Sequence, residues 1–416
     1  MDWSAILPPF DVAMEDSMGE IPVPRGYKFA AVAAEFKKKD KLDLALIVSE
    51  TRAVAAGVFT TNLFKAAPVL QCIETLDVLP TARAIVANSG QANACTGDEG
   101  RVNCRLTLEM ITEFVGCDMV ELLPASTGVI GQHLKLDKWR AAMPLLKESL
   151  GKATAIDFAK AIMTTDKFPK IAWRRIEVGG KGVRLLGMAK GAGMICPDMA
   201  TMLGFVICDA AVDPKWWRDA LRQAVDQSFN RITVDGDTST NDCVLALANG
   251  ASGVDICACD AVDGADKLME ALTDLCQSLA YMIVEDAEGG TKVMRINVVG
   301  AADDRQAELA ARAVGHSPLV KTAMFGKDAN WGRIVAALGR SGAQFDPDQV
   351  SVAIGNVTIF DKGRPVAGDM DALLAPMMRK QDVNVSVSLG QGPGEYVLLA
   401  SDLTHEYVSI NADYRT

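Results

Sequence analysis

Lys190-Gly191-Ala192-Gly193-Met194-Ile195-Cys196-Pro197-Asp198-Met199-Ala200-Thr201-Met202-Leu203-Gly204-Phe205 sets a threonine between a loop rich in glycine and proline and the apolar run Met202 to Cys208. A run of that length bounded by turn residues predicts a buried strand. A threonine hydroxyl is a weak nucleophile unless a base lies beside it, and the free α-amine of an N-terminal threonine is such a base. Cutting the Ala200–Thr201 bond would therefore give Thr201 its own base. For an isolated Ala-Thr pair, a threonine capping a strand or helix is the ordinary reading, so the weight falls on the residues around it.

Outward from this stretch, the chain is 416 residues long, which is too long for one ordinary core and predicts two or three lobes. Hydrophobic residues make up 49% and charged residues 23%, as in globular proteins generally. A formal net charge of −11, with no long Lys/Arg run, argues against nucleic-acid binding. Lys37-Lys38-Lys39 runs into Asp40 and reads as a solvated turn. Met1 to Arg25 lacks a secretory pattern, and no apolar run is long enough to span a bilayer, so no membrane partner is expected and the cytoplasm is the default compartment. The ten cysteines form no CxxC pair and there are only three histidines, which gives a zinc site little to draw on.

Along the chain, strands are expected within Gly26 to Glu50 on either side of the charged turn, then at Ala82 to Ala87, Leu203 to Val212, Cys243 to Ala248, Val293 to Val299, Val350 to Ile359, Val383 to Leu389 and Tyr396 to Ser401. Helical periodicity marks Val102 to Val115, with Leu106, Met110, Ile111 and Phe114 inward, then Leu136 to Leu150, Asp213 to about Phe229, Asp263 to Glu285 and Asp304 to Val314. Strands outnumber βαβ spacings, so the class is α+β, with sheets sandwiched between helices. The pair Gly289-Gly290, between a long helix and a new strand, suggests lobes at 1–288 and 289–416.

The common hydrolase signature GxSxG and the phosphate-loop pattern GxxxxGK[ST] are both absent. The run Gly187 to Gly193 lacks the Lys-Ser/Thr ending of a nucleotide site. Ala125-Ser126-Thr127-Gly128-Val129-Ile130-Gly131 follows an apolar stretch, and a Thr-Gly pair there can aim a hydroxyl and a backbone N–H at one point. A plain turn is the commoner use of such a pair.

Many polar blocks, taken together, resemble the ornithine acetyltransferase family, the glutamate N-acetyltransferases of arginine biosynthesis. The stretch around Thr201 matches that family's self-processing site. The resemblance also takes in Phe59-Thr60-Thr61-Asn62 with Lys65-Ala66-Ala67-Pro68, and Asn88-Ser89-Gly90-Gln91-Ala92-Asn93-Ala94-Cys95-Thr96-Gly97. The likeness continues through Ile162-Met163-Thr164-Thr165-Asp166, Asp235-Gly236-Asp237-Thr238-Ser239-Thr240-Asn241-Asp242 and Glu288-Gly289-Gly290-Thr291-Lys292. It ends with Asn330-Trp331-Gly332-Arg333 and Ile410-Asn411-Ala412-Asp413-Tyr414-Arg415-Thr416.

The resemblance implies a helix/sheet/sheet/helix sandwich of the self-processing N-terminal-nucleophile type, with a smaller C-terminal α/β lobe. It implies cleavage at Ala200–Thr201 into chains 1–200 and 201–416, with Thr201 as nucleophile and acetyl carrier. It gives Thr127 and Gly128 the oxyanion, and Thr164, Thr165, Lys190, Thr201, Glu288, Asn411 and Thr416 the substrate, leaving open which of Thr164 and Thr165 makes contact. Lys190 suits the substrate α-carboxylate and Glu288 the side-chain ammonium of ornithine. The implied reaction moves acetyl from N-acetylornithine to glutamate by ping-pong transfer, with no metal or organic cofactor. Some family members also accept acetyl-CoA, and the residue pattern leaves both forms open. Two of each processed chain would form a heterotetramer. Asp198, Lys167, Gln91 and Leu63 depart from the family's usual residues without removing a named catalytic group. The alternative is a self-processing aminopeptidase or amidohydrolase of related fold, in which water accepts the acyl group.

Overall fold

The computed structural model describes residues 21–196, 202–257 and 263–413. These divide into two compact units, one of residues 21–230 and 237–283, the other of residues 231–236 and 284–413.

In the first unit, runs of β-branched and small apolar residues form β1 (Tyr27–Val32), β2 (Leu44–Phe59), β3 (Thr81–Ser89), β4 (Leu122–Thr127), β5 (Lys170–Val178), β6 (Lys181–Lys190) and β7 (Leu203–Cys208). The two-residue β8 (Ile232–Thr233) belongs to the other unit, and β9 (Cys243–Ala248) completes this sheet. The order is β4-β3-β2-β9-β7-β6-β5, with β1 on β2. The pairs β3–β4 and β7–β9 are parallel and the others antiparallel, so the sheet is mixed. The helices are α1 (Ala67–Val78), α2 (Gly97–Val115), α3 (Leu136–Ser149), α4 (Ala155–Ala161), α5 (Pro214–Asp226) and α6 (Gly264–Glu285), which runs across the division between the units.

Both faces of this sheet are buried, which is why its strands read as continuous apolar runs rather than alternating ones. Ile47, Ile85, Leu123, Met188 and Phe205 pack with Phe158 of α4. Leu46, Val86 and Leu122 pack with Leu108 and Ile111 of α2 and Trp139 of α3. The inward stripe of α6 is the expected one, since Leu268, Leu272, Leu275 and Leu279 are fully buried. It lies so close to β6 that a Cβ on Gly187 would come 2.8 Å from Leu279 Cδ1. Asp213 caps α5 by accepting from Trp216 N at 2.9 Å.

The second unit has a mixed sheet of β10 (Val293–Ala301), β11 (Ser351–Ile354), β12 (Val357–Asp361), β13 (Arg364–Pro365), β14 (Asp382–Ser388), β15 (Gly394–Ser401) and β8. Its order is β13-β12-β11-β14-β10-β15-β8, with β10–β14 and β15–β8 parallel. Its helices are α7 (Asp304–Gly315), α8 (Pro318–Phe325), α9 (Trp331–Gly339), α10 (Met370–Met378) and α11 (His405–Asp413). Its core joins Ile296, Val298 and Leu398 to Ala307, Ala311 and Val314 of α7. With helices and two mixed sheets, the class is α+β, as expected.

Some boundaries differ from the sequence reading. The strand expected over Val350 to Ile359 is a hairpin, because Gly355 takes φ +57 and reverses the chain. α2 starts at Gly97 rather than Val102, and its inner face is Cys104, Thr107, Leu108 and Ile111, with Leu106, Met110 and Phe114 half-buried. β7 stops at Cys208, and α5 ends at Asp226 rather than near Phe229. No helix among the described residues is long and apolar enough to cross a membrane.

Phe158 is fully buried and meets Phe205 edge-on, with ring centroids 5.1 Å apart. Phe158→Ala will lower unfolding free energy by about 3–5 kcal/mol, measured by urea denaturation.

Candidate active site

β4 delivers Thr127, which is 6% exposed, at its C-terminal end. The next residue, Gly128, has φ +136, and a Cβ there would lie 2.5 Å from Gly90 C and 2.6 Å from Gln91 N. Only glycine allows the two backbones this close. The contact is fixed by Gln91 N donating to Thr127 O at 3.1 Å. Asn88 secures the same turn: its Nδ2 donates to Gln91 O at 3.1 Å, and its Oδ1 accepts from Ser126 Oγ at 2.7 Å. Gln91, one of the departures from the family pattern, accepts from Lys135 N at 2.8 Å, while its buried Nε2 has no partner among the described residues. Thr127 and Gly128 are thus held rigidly, as an oxyanion site requires.

The loop from Thr238 to Asp242 joins this corner to the Ala-Thr stretch. Thr238 Oγ1 donates to Cys196 O at 2.8 Å, and Asp242 Oδ1 accepts from Met202 N at 2.9 Å. The loop therefore grips the chain on both sides of residues 197–201. Asn241 Nδ2 donates to Ala92 O at 2.6 Å and to Ser126 O at 2.9 Å, tying the same loop to the residue before Thr127. Thr60 braces it from β2's end: Thr60 N donates to Asp242 O at 3.0 Å, and its Oγ1 donates to Ser239 O at 2.7 Å.

A buried carboxylate organises the other side of this unit's candidate site. Asp166 Oδ1 accepts from Lys170 Nζ and from Gly191 N, each at 2.8 Å, and Oδ2 accepts from Thr164 N at 2.9 Å. Burial alone would raise this carboxyl, but the charges of Lys190 and Lys170 and these donors hold it well below the usual carboxylate range. Asp166 thereby brings Thr164 to the end of β6, where Lys190 is 3% exposed. Thr165 sits half-buried beside it, and Lys167 is exposed.

In the second unit, Glu288 and Asn411 meet directly, with Asn411 Nδ2 donating to Glu288 Oε2 at 3.0 Å. Gly289 makes this possible: at φ +64, a Cβ on it would strike Tyr407 N of α11 at 2.4 Å. Thr404 Oγ1 donates to Gly289 O at 2.7 Å and ties down the start of the same helix. Ala200, Thr201, Asp198 and Thr416 lie outside the described residues.

The sequence reading singled out neither Asn241 nor Asp242, nor Asp166 for its carboxyl. The signal for Asn241 and Asp242 is a polar run entering a wholly apolar strand, where side chains are buried and must find partners.

A family profile described as "ArgJ family" matches residues 28–416. The chain belongs to the ArgJ family. It is 60% identical over 395 residues to the arginine biosynthesis bifunctional protein ArgJ of Nitratidesulfovibrio vulgaris, covering 94% of this chain and 99% of that protein. The protein of the same name from Geobacter sulfurreducens is 48% identical over 392 residues, covering 94% and 99%. A crystal structure of the Bacillus halodurans ArgJ protein is 38% identical, with a TM-score of 0.48, covering 50% of this chain and 98% of that one. Membership of the ArgJ family makes this an acyltransferase of arginine biosynthesis.

Asp166→Asn will leave the charges of Lys170 and Lys190 without their buried counter-charge, at a cost of about 3–5 kcal/mol near neutral pH. The folded Asp166 value lies below its ordinary 3.8. The carboxylate's contribution is therefore complete above that ordinary value and is lost as pH falls toward the folded one. The stability gap between wild type and the variant, followed by denaturant titration, will be constant from neutral pH to about pH 5 and shrink below about pH 4.

Proposed function

We propose that the chain cuts itself between Ala200 and Thr201, giving chains 1–200 and 201–416, and then moves acetyl from N-acetylornithine to glutamate. The observation that carries this reading is the Thr238–Asp242 loop. It fixes the chain on both sides of the cleavage stretch and ties it to the residue beside the Thr127–Gly128 corner.

Thr201 attacks the Ala200 carbonyl in an N-to-O acyl shift, and water releases the ester. The freed α-amine then serves as base for the same hydroxyl. Thr201 takes the acetyl group, and Thr127 with the Gly128 N–H stabilises the oxyanion. Ornithine leaves, and glutamate attacks the acetyl-enzyme. Lys190 pairs with the substrate α-carboxylate, Thr164 and Thr165 flank it, and Glu288, steadied by Asn411, receives the side-chain ammonium. Thr416 also contacts substrate. The chemistry needs no metal or organic cofactor. The relatives are named bifunctional, which supports acetyl-CoA as a second acetyl donor to glutamate. The Gly289-Gly290 pair supports lobes of residues 1–288 and 289–416, and the family resemblance supports an assembly of two copies of each processed chain and a cytoplasmic location.

Incubating the purified protein with N-acetylornithine will release one equivalent of ornithine per site without glutamate and turn over only when glutamate is present, with N-acetylglutamate then appearing one for one. Equal release without glutamate, with free acetate, would assign the acyl group to water and favour the hydrolase reading. Thr127→Ala will lower kcat for this transfer about 100- to 1,000-fold, read from initial rates, whereas an unchanged kcat would remove Thr127 from the oxyanion site.

A further inference from the structure

Asp242 is a carboxyl group in a costly place. It is 1% exposed, at the entrance to β9, a strand that is buried along its whole length. Oδ1 accepts from Met202 N at 2.9 Å, and Cys243 N donates to Met202 O at 3.3 Å, so the residue that follows Thr201 is held from both backbone groups. The other carboxyl oxygen, Oδ2, is buried and has no hydrogen-bond partner among the described residues. Leaving a buried oxygen unpaired is costly. If anchoring Met202 were the whole purpose, an asparagine or serine would anchor it without a buried acid. Burial raises the Asp242 carboxyl well above the usual range, against the opposing pull of the Met202 N–H, Lys190 and Ser239. The group therefore keeps its proton to higher pH than an ordinary aspartate does.

Self-cleavage needs such a group at that place. Consecutive residues are about 3.8 Å apart, so an acid bonded to the Met202 nitrogen is one residue from the scissile bond. Resting on the self-cleavage reading above, we propose that Asp242 is the proton exchanger of that cleavage, anchoring Met202 through Oδ1 and passing a proton through Oδ2.

The step balances without a co-reactant. The Thr201 hydroxyl oxygen bonds to the Ala200 carbonyl carbon, and the bond from that carbon to the Thr201 nitrogen breaks. The departing nitrogen takes the Asp242 proton and becomes an amine. Asp242 recovers the proton given up by the Thr201 hydroxyl, so it ends as it began. Water then adds to the ester carbonyl. Its hydroxyl stays on Ala200 and its remaining hydrogen goes to Thr201 Oγ.

Asp242→Asn separates the two roles, because its amide oxygen keeps the Met202 hydrogen bond and cannot exchange a proton. The full chain is made by cell-free translation as wild type, T201A, D242N and D242E, and fragments 1–200 and 201–416 are followed on a gel with time. The expected result is a cut wild type, an uncut T201A, and D242N slowed about 100-fold or more. D242N should melt within about 5 °C of uncut T201A. D242E, which restores the carboxyl, will be cut faster than D242N. Cleavage of D242N at the wild-type rate would overturn the inference while leaving the self-cleavage reading intact, and so would D242E being no faster than D242N. A wild-type chain that stays whole would overturn the self-cleavage reading itself.

Discussion

The loop Thr238 to Asp242 carries the hydrogen bonds on which the candidate chemistry of the first unit depends. Its side chains reach three separate places: Cys196 before the cleavage stretch, Met202 after it, and Ser126 next to Thr127. All of these bonds lie in largely buried surroundings, where a satisfied polar contact is rigid and an unsatisfied one is expensive. Backbone geometry is thereby fixed at the two ends of the stretch proposed to react and at the strand end proposed to receive the developing negative charge. Preorganisation of this kind is where an oxyanion site gains its advantage over water.

Electrostatics follow the same pattern of buried groups with definite partners. Lys190 and Lys170 share Asp166, which stays charged because two cations and backbone donors outweigh its burial. Asp242 is pulled the same way by Met202, Lys190 and Ser239, and there burial wins. Two aspartates in one unit are thus pushed in opposite directions by their surroundings. One is suited to holding cationic side chains in place and the other to holding a proton.

Much of this was legible in the sequence, and the exceptions are instructive. Apolar runs such as Leu42 to Val48 and Cys243 to Ala248 announced buried strands, because both faces of their sheet are covered and no alternation is needed. The leucine stripe of α6 was equally plain. The hairpin at Gly355 was hidden inside one β-prone run, since a single glycine in a strand reads equally well as a bulge. α1, whose N-cap residue is Ala66 and makes no side-chain capping bond, offered no start signal beyond Pro68. The polar blocks carrying Thr127, Lys190, Glu288 and Asn411 stood out as motifs. The roles of Asp166, Asn241 and Asp242 did not, because each depends on partners dozens of residues away or more that only the folded chain brings near.

In the proposed transfer, residue 201 carries the acetyl group. The most direct test is to mix the purified protein with N-acetylornithine in the absence of glutamate, quench in acid, and map the acetylated residue by peptide mass spectrometry. One acetyl group is expected, on the peptide that begins with Thr201, and it is lost when glutamate is added before the quench. An unmodified Thr201 peptide under conditions that release ornithine, or acetyl found on another residue, would contradict it.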